Sequence, residues 1–361
     1  MNEGSRVVVA MSGGVDSSVA AALLAQQGYQ VIGMMLRLWS EPGCDQDNRC
    51  CTPEAMAQAR RVAGILNIPF YAVDAQQPFR DKVVQNFIDG YAQGITPNPC
   101  LICNQVIRWG FLLQHALSLG ADLMATGHYA RIRLALDGQI CLARAVDPQK
   151  DQSYVLYGLT HEQLRATIFP LGEYTKPQVR QLAREFSLPV SERPDSQDLC
   201  FLGDGDYRHF LLRHAPQAIN PGKIVDPEGH ILGQHKGLAF YTIGQRKGLG
   251  IFSPQPLYVI AKNVQENTLI VGQANELGQQ AFYVEKINWI AGNPPPAPLR
   301  LQIKIRYKAK ETWGDVTPKE FASASVYLDQ PLRDITPGQA AVFYDGEVCL
   351  GGGIITSRTI Y

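Results

Sequence analysis

The chain begins with an unbroken apolar run, Val7-Val8-Val9-Ala10-Met11, with the length and β-branched content of a parallel strand buried on both faces. Ser12-Gly13-Gly14-Val15-Asp16-Ser17-Ser18 follows, then an apolar stretch at helical spacing from Val19 to Gln27. The same alternation continues through the first 200 residues. Gln30–Leu36 reads as a second strand. Thr52-Pro53 is an N-cap and first-turn pair that opens a helix to Leu66. Phe70–Val73 reads as a third strand, Phe79–Tyr91 and Asn104–Leu119 as helices, and Leu123–Thr126 as a strand ending in Gly127-His128-Tyr129. Arg131–Leu136 and Gln139–Ala143 flank Asp137-Gly138, a type I′ hairpin signal. Thr175–Ser187 and Gly205–His214 are helical by period. This order predicts an α/β fold with a doubly wound parallel sheet, whose ligands sit beyond the carboxyl ends of the strands.

After about Pro216 the runs shorten, Gly and Pro punctuate them, and alternation at period two dominates. A small β-rich unit is expected at about 216–275. Pro294-Pro295-Pro296 reads as a linker to a second unit, a compact β-barrel. The expected division is 1–203, 204–280 and 281–361. The clearest late strand is Arg300–Lys310. Its odd positions Leu301, Ile303, Ile305, Tyr307 and Ala309 face one way, and Arg300, Gln302, Lys304, Arg306, Lys308 and Lys310 the other. Such a row is either a solvated face or a phosphate track for RNA.

At 361 residues, 45% hydrophobic and 18% charged, the composition is that of an ordinary globular protein of two or three domains. Net charge is zero, so a nucleic-acid partner must be met by a local basic patch. The chain has no N-terminal export signal and no 18-residue apolar run, so a cytoplasmic protein without membrane contact is expected. The eight cysteines then read as thiols, metal ligands or catalytic groups rather than a disulfide framework.

The first strand, its glycine turn and the following helix present backbone N–H groups and a positive dipole end to an anion. Gly13 and Gly14 let the backbone approach it, Ser12, Ser17 and Ser18 add hydroxyls, and Asp16 is a candidate magnesium ligand. Neither GxxxxGK[ST] nor GxGxxG occurs. The Ser-Gly-Gly-Val-Asp-Ser order resembles the PP-loop of ATP pyrophosphatases, which split ATP to AMP and pyrophosphate while adenylating an oxygen.

Sulfur chemistry has two candidate places. Thr96-Pro97-Asn98-Pro99-Cys100-Leu101-Ile102-Cys103-Asn104 is a Pro-bounded loop leading into a helix, whose N-terminus favours thiolate at Cys103. Asp195-Ser196-Gln197-Asp198-Leu199-Cys200-Phe201 is a polar loop. Cys141 and Cys349 lie in strand-like runs and read as inert, buried thiols. Cys44, Cys50 and Cys51 sit in a third polar loop with no second clean CxxC to complete a zinc site.

The ordered motifs resemble the bacterial tRNA-specific 2-thiouridylases. Besides the loops above they include Ala125-Thr-Gly-His-Tyr, Lys150-Asp-Gln-Ser-Tyr, Gly244-Gln-Arg-Lys-Gly-Leu-Gly and Thr336-Pro-Gly-Gln before a Gly-rich end. The resemblance implies a PP-loop domain, a small central domain and a C-terminal barrel. It implies thiolation of the wobble uridine with ATP and Mg²⁺, on tRNAs for lysine, glutamate and glutamine, with sulfur from a persulfide donor protein. Ala10, Met11, Ser12, Gly13, Gly14, Val15, Asp16 and Ser17, with Leu36 and Gly127, would hold ATP. Asn98, Pro99 and Cys100 would surround the target base. His128, Lys150, Asp151, Gln152, Arg306, Tyr307 and Gln339 would contact tRNA. Cys103 would be the nucleophile and Cys200 the persulfide carrier. Many members of the family have Asp where this chain has Cys100, so Cys100 stands in for a candidate acid/base and also completes a CxxC. Cys100, Cys103 and Cys200 could then ligate an iron–sulfur cluster that carries the sulfur instead. Both routes stay open, with preference for the relay, which needs only the two family cysteines. The rivals are another PP-loop ligase and a non-catalytic RNA-binding module.

Overall fold

The computed structural model describes residues 4–41, 52–135, 138–194, 199–202, 205–297 and 299–356. Its first strands are β1 (Arg6–Ala10), β2 (Gln30–Arg37), β3 (Phe70–Asp74) and β4 (Leu123–Thr126). The pair β5 (Arg131–Leu134) and β6 (Ile140–Ala143) and the short β7 (Thr167–Ile168) follow. Five of them form a parallel sheet in the order β3-β2-β1-β4-β7, with Val9 opposite Gly33 on one side and Ala125 on the other. Val7, Val8 and Val9 are fully buried, as the unbroken apolar run predicts. Strand order reverses across β1 and β4, so the crevice between their carboxyl ends is the switch point where such folds place a ligand. Helix α1 (Val15–Gln26) leaves that crevice, and α2 (Pro53–Ile65) is capped by Thr52, whose hydroxyl accepts from the Ala55 amide at 3.0 Å.

Two helices start earlier than the apolar periodicity indicates. Residues 76–92 are helical throughout, with a π stretch at Arg80–Val84. Residues 99–118 are helical too, with a π stretch at Cys103–Leu112. The second begins at Pro99 because Asn98 and Pro99 are themselves an N-cap and first-turn pair. Asn98 Oδ1 accepts from the Cys100 amide at 3.1 Å.

The β5–β6 hairpin leaves the parallel sheet for the C-terminal unit. Val348 pairs with Ala143 and Cys349 with Leu142. Ala135 donates to Gln139 at 2.8 Å, a register one residue off that of a two-residue type I′ turn, and Gly138 takes φ of +80°. Leu136 and Asp137 lie outside the described residues.

The middle unit is a four-stranded sheet of β8 (Gly222–Val225), β9 (Ile231–His235), β10 (Tyr258–Asn263) and β11 (Thr268–Gly272), in the order β10-β11-β8-β9. Helix Tyr207–His214 precedes it and packs Phe210 and Leu211 on Phe79, Phe87 and Phe201 of the first unit. The C-terminal unit is a closed six-stranded barrel. Its strands are β12 (Gln279–Trp289), β13 (Leu299–Lys304), β14 (Thr312–Lys319), β15 (Ser323–Leu332), β16 (Ala340–Asp345) and β17 (Val348–Ile355), and β12 pairs with β17 to close it.

Two expectations change here. Pro294-Pro295-Pro296 joins β12 to β13 inside the barrel and is not a linker before it. The proposed strand Arg300–Lys310 ends at Lys304, because β14 returns at Thr312 opposite Ile303 and residues between them must turn. Lys304 is buried, Arg300 is paired with Asp315 and Asp329, and Arg306 is paired with Asp334 at 2.5 Å. No continuous cationic row runs along this strand.

Candidate active site

At the crevice, Gly13 has φ of +71°, and a Cβ there would lie 2.3 Å from the Ala55 carbonyl oxygen. Only glycine fits. Gly14 is the N-cap of α1 and supplies no side chain, so the first turn keeps its N–H groups for an incoming anion. Ser17 Oγ accepts from the Ser12 amide at 3.1 Å, and Ser18 Oγ donates to the Gly14 carbonyl at 2.8 Å. These bonds hold the turn closed on itself. Gly127 presses on it from β4, since a Cβ there would come within 2.7 Å of the Ser17 nitrogen. Ala10 and Met11 complete the strand end, Val15 anchors α1 in the core, and Leu36 packs beside them near the end of β2.

The carboxylate of Asp16 is taken by the protein. Lys176 Nζ lies 2.7 and 2.8 Å from its two oxygens, and the Tyr129 hydroxyl donates to Oδ1 at 2.8 Å. A magnesium ion on Asp16 does not fit this donor set, because the Lys176 ammonium stands where that cation would. Arg193 donates to the Gly13 carbonyl at 2.7 Å. Sequence reading missed both cations, which lie 160 and 180 residues from their partners. One signal was present. Thr175-Lys176-Pro177 puts a cation in the first turn of the helix Lys176–Glu185, where the dipole disfavours it, so a buried lysine there needs a carboxylate.

His128 is buried, and both ring nitrogens are engaged. Arg108 donates to Nε2 at 2.8 Å, so Nδ1 carries the proton and meets Thr126 Oγ1 at 2.7 Å. Burial, reinforced by the Arg108 charge, holds its pKa well below the usual histidine value. The Asn104 side-chain oxygen Oδ1 accepts from the same guanidinium at 3.3 Å. A polar chain therefore joins the Cys103–Asn104 helix, through Arg108 and His128, to the segment bearing Tyr129 and hence to Asp16. Gln152 fixes Tyr129 by two bonds, its side-chain Oε1 accepting from the Tyr129 amide at 2.9 Å and its backbone N–H donating to the Tyr129 carbonyl at 2.8 Å. Asp151 is buried and accepts from Ala145, Ser153 and the Ser153 hydroxyl. His128 and Asp151, expected to touch RNA, are inside the protein, and Gln152 is committed to Tyr129; a folded motif needs such polar groups for its own satisfaction. Lys150 is half-buried beside them.

The loop before the cysteines is held by the barrel. Gln339 Nε2 donates to the Thr96 carbonyl at 2.8 Å, and the Thr96 amide donates to Pro337 at 2.9 Å. Gly338, at φ of +93°, passes so close that a Cβ would sit 2.9 Å from the Thr96 oxygen. Tyr307 is half-buried near Asp151 and Cys100. Burial, and then the neighbouring Asp151 and Cys100 groups, push its hydroxyl up to about 12. Arg306 is its neighbour in the turn after β13.

Cys100 is exposed in the first turn of the 99–118 helix, above the buried Pro99, and Cys103 lies one turn further along. Cys103 and Cys200 both pack against the cluster of Phe79, Phe87, Phe201 and Phe210. Among the described residues, the metal-like grouping is Asp226, Glu228 and His230, within 4.8 Å, and Cys100, Cys103 and Cys200 do not converge in that way. Cys349 is buried, as expected, and burial first of all pushes its thiol up to about 12. Cys141, expected buried, is half-exposed, and its thiol donates to the Arg133 carbonyl. Cys44, Cys50, Cys51 and residues 195–198 lie outside the described residues.

Residues 5–204 match the family of the tRNA methyl transferase HUP domain, 208–273 the tRNA methyl transferase PRC-barrel domain, and 279–355 the aminomethyltransferase beta-barrel domain. The chain is 50% identical to the tRNA-specific 2-thiouridylase MnmA of Magnetococcus marinus, over 98% of this chain and 100% of that protein. It is 46% identical to the protein of that name from Moorella thermoacetica, over 97% and 99%. The Chloroflexus aggregans protein of the same name is 47% identical over 97% and 98%. Among solved structures, one titled as a 4-thiouridine synthetase–RNA complex with bound ATP is 16% identical, with a TM-score of 0.35, covering 59% of this chain and 51% of that one.

Proposed function

This chain belongs to the tRNA-specific 2-thiouridylase family, and we propose that it thiolates the wobble uridine of tRNA through an adenylated intermediate. The observation that supports this most is the joining of two sites by one polar chain. A glycine turn built for phosphates, with Lys176 buried beside it, connects through His128 and Arg108 to the helix that carries Cys100 and Cys103. ATP binds with its phosphates over the N-terminus of α1, where the dipole, the free end of the helix and Lys176 carry the departing charge. The uridine 2-oxygen attacks the α-phosphorus, the bond to the bridging oxygen breaks, and pyrophosphate leaves. The 2-carbonyl is a poor electrophile until AMP is its leaving group.

Sulfur arrives as a persulfide on Cys200. The Cys103 thiolate attacks the Cys200 sulfur, the S–S bond breaks and hydrosulfide is released, leaving a Cys103–Cys200 disulfide. Hydrosulfide adds at C2 and AMP leaves with the former uridine oxygen. An external thiol then reduces the disulfide. Attack by the terminal persulfide sulfur itself is the variant of this route, with Cys103 cleaving the adduct afterwards. The iron–sulfur alternative has less support, because the three thiols do not group as metal ligands do in the described fold. Asn98, Pro99 and Cys100 are proposed to surround the base, with Tyr307 beside them, and the half-buried Lys150 is proposed as the tRNA contact of its motif. The substrates proposed are the tRNAs for lysine, glutamate and glutamine, the donor is a persulfide-carrying protein, and the proposed place is the cytoplasm. No helix among the described residues is long and apolar enough to cross a membrane. The three proposed domains are 1–203, 204–280 and 281–361.

The test is release of AMP and pyrophosphate by the full chain, with and without unmodified tRNA, and mass measurement of the tRNA after addition of sulfide or a persulfide donor. Release that requires tRNA, with the gain of one sulfur for one oxygen, is expected. Release without tRNA would point to another PP-loop ligase, and none in either case to a binding module.

A further inference from the structure

Residues 231–265 contain no aspartate or glutamate, although a stretch of that length would carry about three at the average of the whole chain. They contain Lys236, Arg246, Lys247 and Lys262, in a protein of zero net charge. The Lys262 ammonium is buried, so the exposed cations of this acid-free stretch are Lys236, Arg246 and Lys247, the last two side by side on one loop. That loop is pinned at its base. Gly244 donates to the Val259 carbonyl at 2.8 Å, Val259 donates to Gln245 at 3.0 Å, and Gln245 Nε2 reaches the Lys247 carbonyl at 2.9 Å. Leu249 is buried in the small core of the unit as an internal anchor.

Between these anchors Arg246, Lys247, Gly248 and Gly250 are exposed, the two glycines with φ of +78° and +71°. Phe252 is 99% exposed. A phenylalanine wholly in water contributes nothing to the core, and here it stands a few residues from two cations on an ordered loop. Aromatic faces interleaved with Lys and Arg are what single-stranded nucleic acid binds, bases on the rings and phosphates on the charges.

The loop also lies in a suitable place. The Gly244 backbone rests against Arg333 and Asp334, where a Cβ would find atoms at 3.6 and 3.7 Å. Asp334 holds Arg306 at 2.5 Å, and Arg306 adjoins Tyr307, which packs on the buried cluster that contains Leu101, the residue after Cys100. The base of the loop thus adjoins the barrel segment that pairs with Arg306, beside Tyr307.

We propose that residues 245–252 form a second RNA contact, in which Arg246 and Lys247 take backbone phosphates and Phe252 stacks on an unpaired base other than the one being thiolated. This rests on the reading of tRNA as substrate.

The experiment is equilibrium binding of an unmodified tRNA transcript to the full chain across a salt series, with steady-state thiolation, for the parent, Phe252→Ala and the double variant Arg246→Gln/Lys247→Gln. Phe252→Ala should weaken binding by about 5- to 150-fold at an unchanged salt slope. The double variant should lower the log–log salt slope by about 1.5. Both effects should fall on KM for tRNA. The substituted side chains are exposed, so unchanged thermal melting shows that each variant is folded. Parental affinity and slope in all variants, with a parent that binds tRNA, would overturn this contact alone. Variants that keep tRNA affinity but lose sulfur uptake from a protein donor would assign the loop to that donor and overturn it equally. A parent that binds no tRNA would overturn both this inference and the function it rests on.

Discussion

Lys176→Met removes the cation inside the nucleotide turn and leaves a side chain of similar length. In the parent the ammonium lies 2.7 and 2.8 Å from the Asp16 oxygens, and the side chains are 10% and 35% exposed. Water can reach the abandoned carboxylate, so the loss falls between that of a surface pair and that of breaking a buried one, about 2 kcal/mol. For a unit of this size that is a drop of about 4–8 °C in Tm. If Lys176 also meets the departing pyrophosphate, removing a fixed charge of this kind slows the chemical step by about 10²–10³-fold. The assay is tRNA-dependent pyrophosphate release at saturating ATP and tRNA, beside thermal melting. Asp16→Asn and the double variant with Lys176→Met separate two roles. If Lys176 only neutralises Asp16, the double variant recovers the rate. If it acts on phosphate, the double variant stays as slow as Lys176→Met. A Lys176→Met enzyme within threefold of the parental rate, with lowered melting, would refute the catalytic part and leave a structural pair.

Three further outcomes are expected. His128 is held neutral in the fold, so below about pH 6.5 the unfolded chain gains a proton that the folded chain does not; its contribution is present above that pH and is lost as pH falls, by about 1.4 kcal/mol between pH 7.5 and 5.5. Urea unfolding at those two pH values should show a pH dependence smaller by that amount in His128→Asn, and an equal dependence in both proteins would count against a neutral, buried histidine. Iodoacetamide at pH 8 should alkylate the exposed Cys100 and spare Cys349, whose thiol is buried and shifted to about 12, until denaturant is added, as read by peptide mass spectrometry. Cys100→Asp should keep most of its thiolation activity, and both it and the parent should purify anaerobically without iron; iron-dependent activity in the parent that this change abolishes would replace the relay with a cluster.

The sheet, its order of elements and the phosphate turn were legible because each rests on local pattern. A short β-branched apolar run favours a buried strand, and a Gly-Gly pair between it and a helix allows the close turn that a phosphate site needs. The helix start at Pro99 was also legible, because Asn98-Pro99 has the same form as Thr52-Pro53, yet a cysteine pair and polar neighbours made it read as a loop. The basic strand misled for a different reason. Alternation persists in sequence through Ile305 and Tyr307, but the ladder stops where β14 must begin, and alternation carries no information about where a partner ends. His128 and Asp151 show the limit at the site. Their motif is plain in sequence, but whether a motif residue faces substrate or holds up its neighbour depends on burial, which the motif does not encode. Arg193 was hidden by its separation of 180 residues from Gly13, and Lys176, 160 residues from Asp16, left only its place in the first turn of a helix as a signal.

The barrel is built into the cysteine-bearing part of the first unit more closely than an appended module would be. Tyr154 donates to the Ala340 carbonyl at 3.1 Å, and Asn288 donates to the carbonyls of Tyr157 and Leu159 at 2.8 and 2.9 Å. The β5–β6 hairpin of the first unit pairs directly with β17. Above all, both polar groups of the Thr96 backbone are satisfied by Pro337 and Gln339. Thr96 lies two residues before Asn98, the cap that sets the start of the helix carrying both thiols. A backbone loop without such partners would sample many conformations, and thiols attached to it would meet a reacting carbon in few of them; positioning within about an ångström is what makes such encounters effective. The barrel therefore holds the loop that leads into the helix of Cys100 and Cys103, and Gly338 is glycine because the clamp passes too close to Thr96 for any side chain.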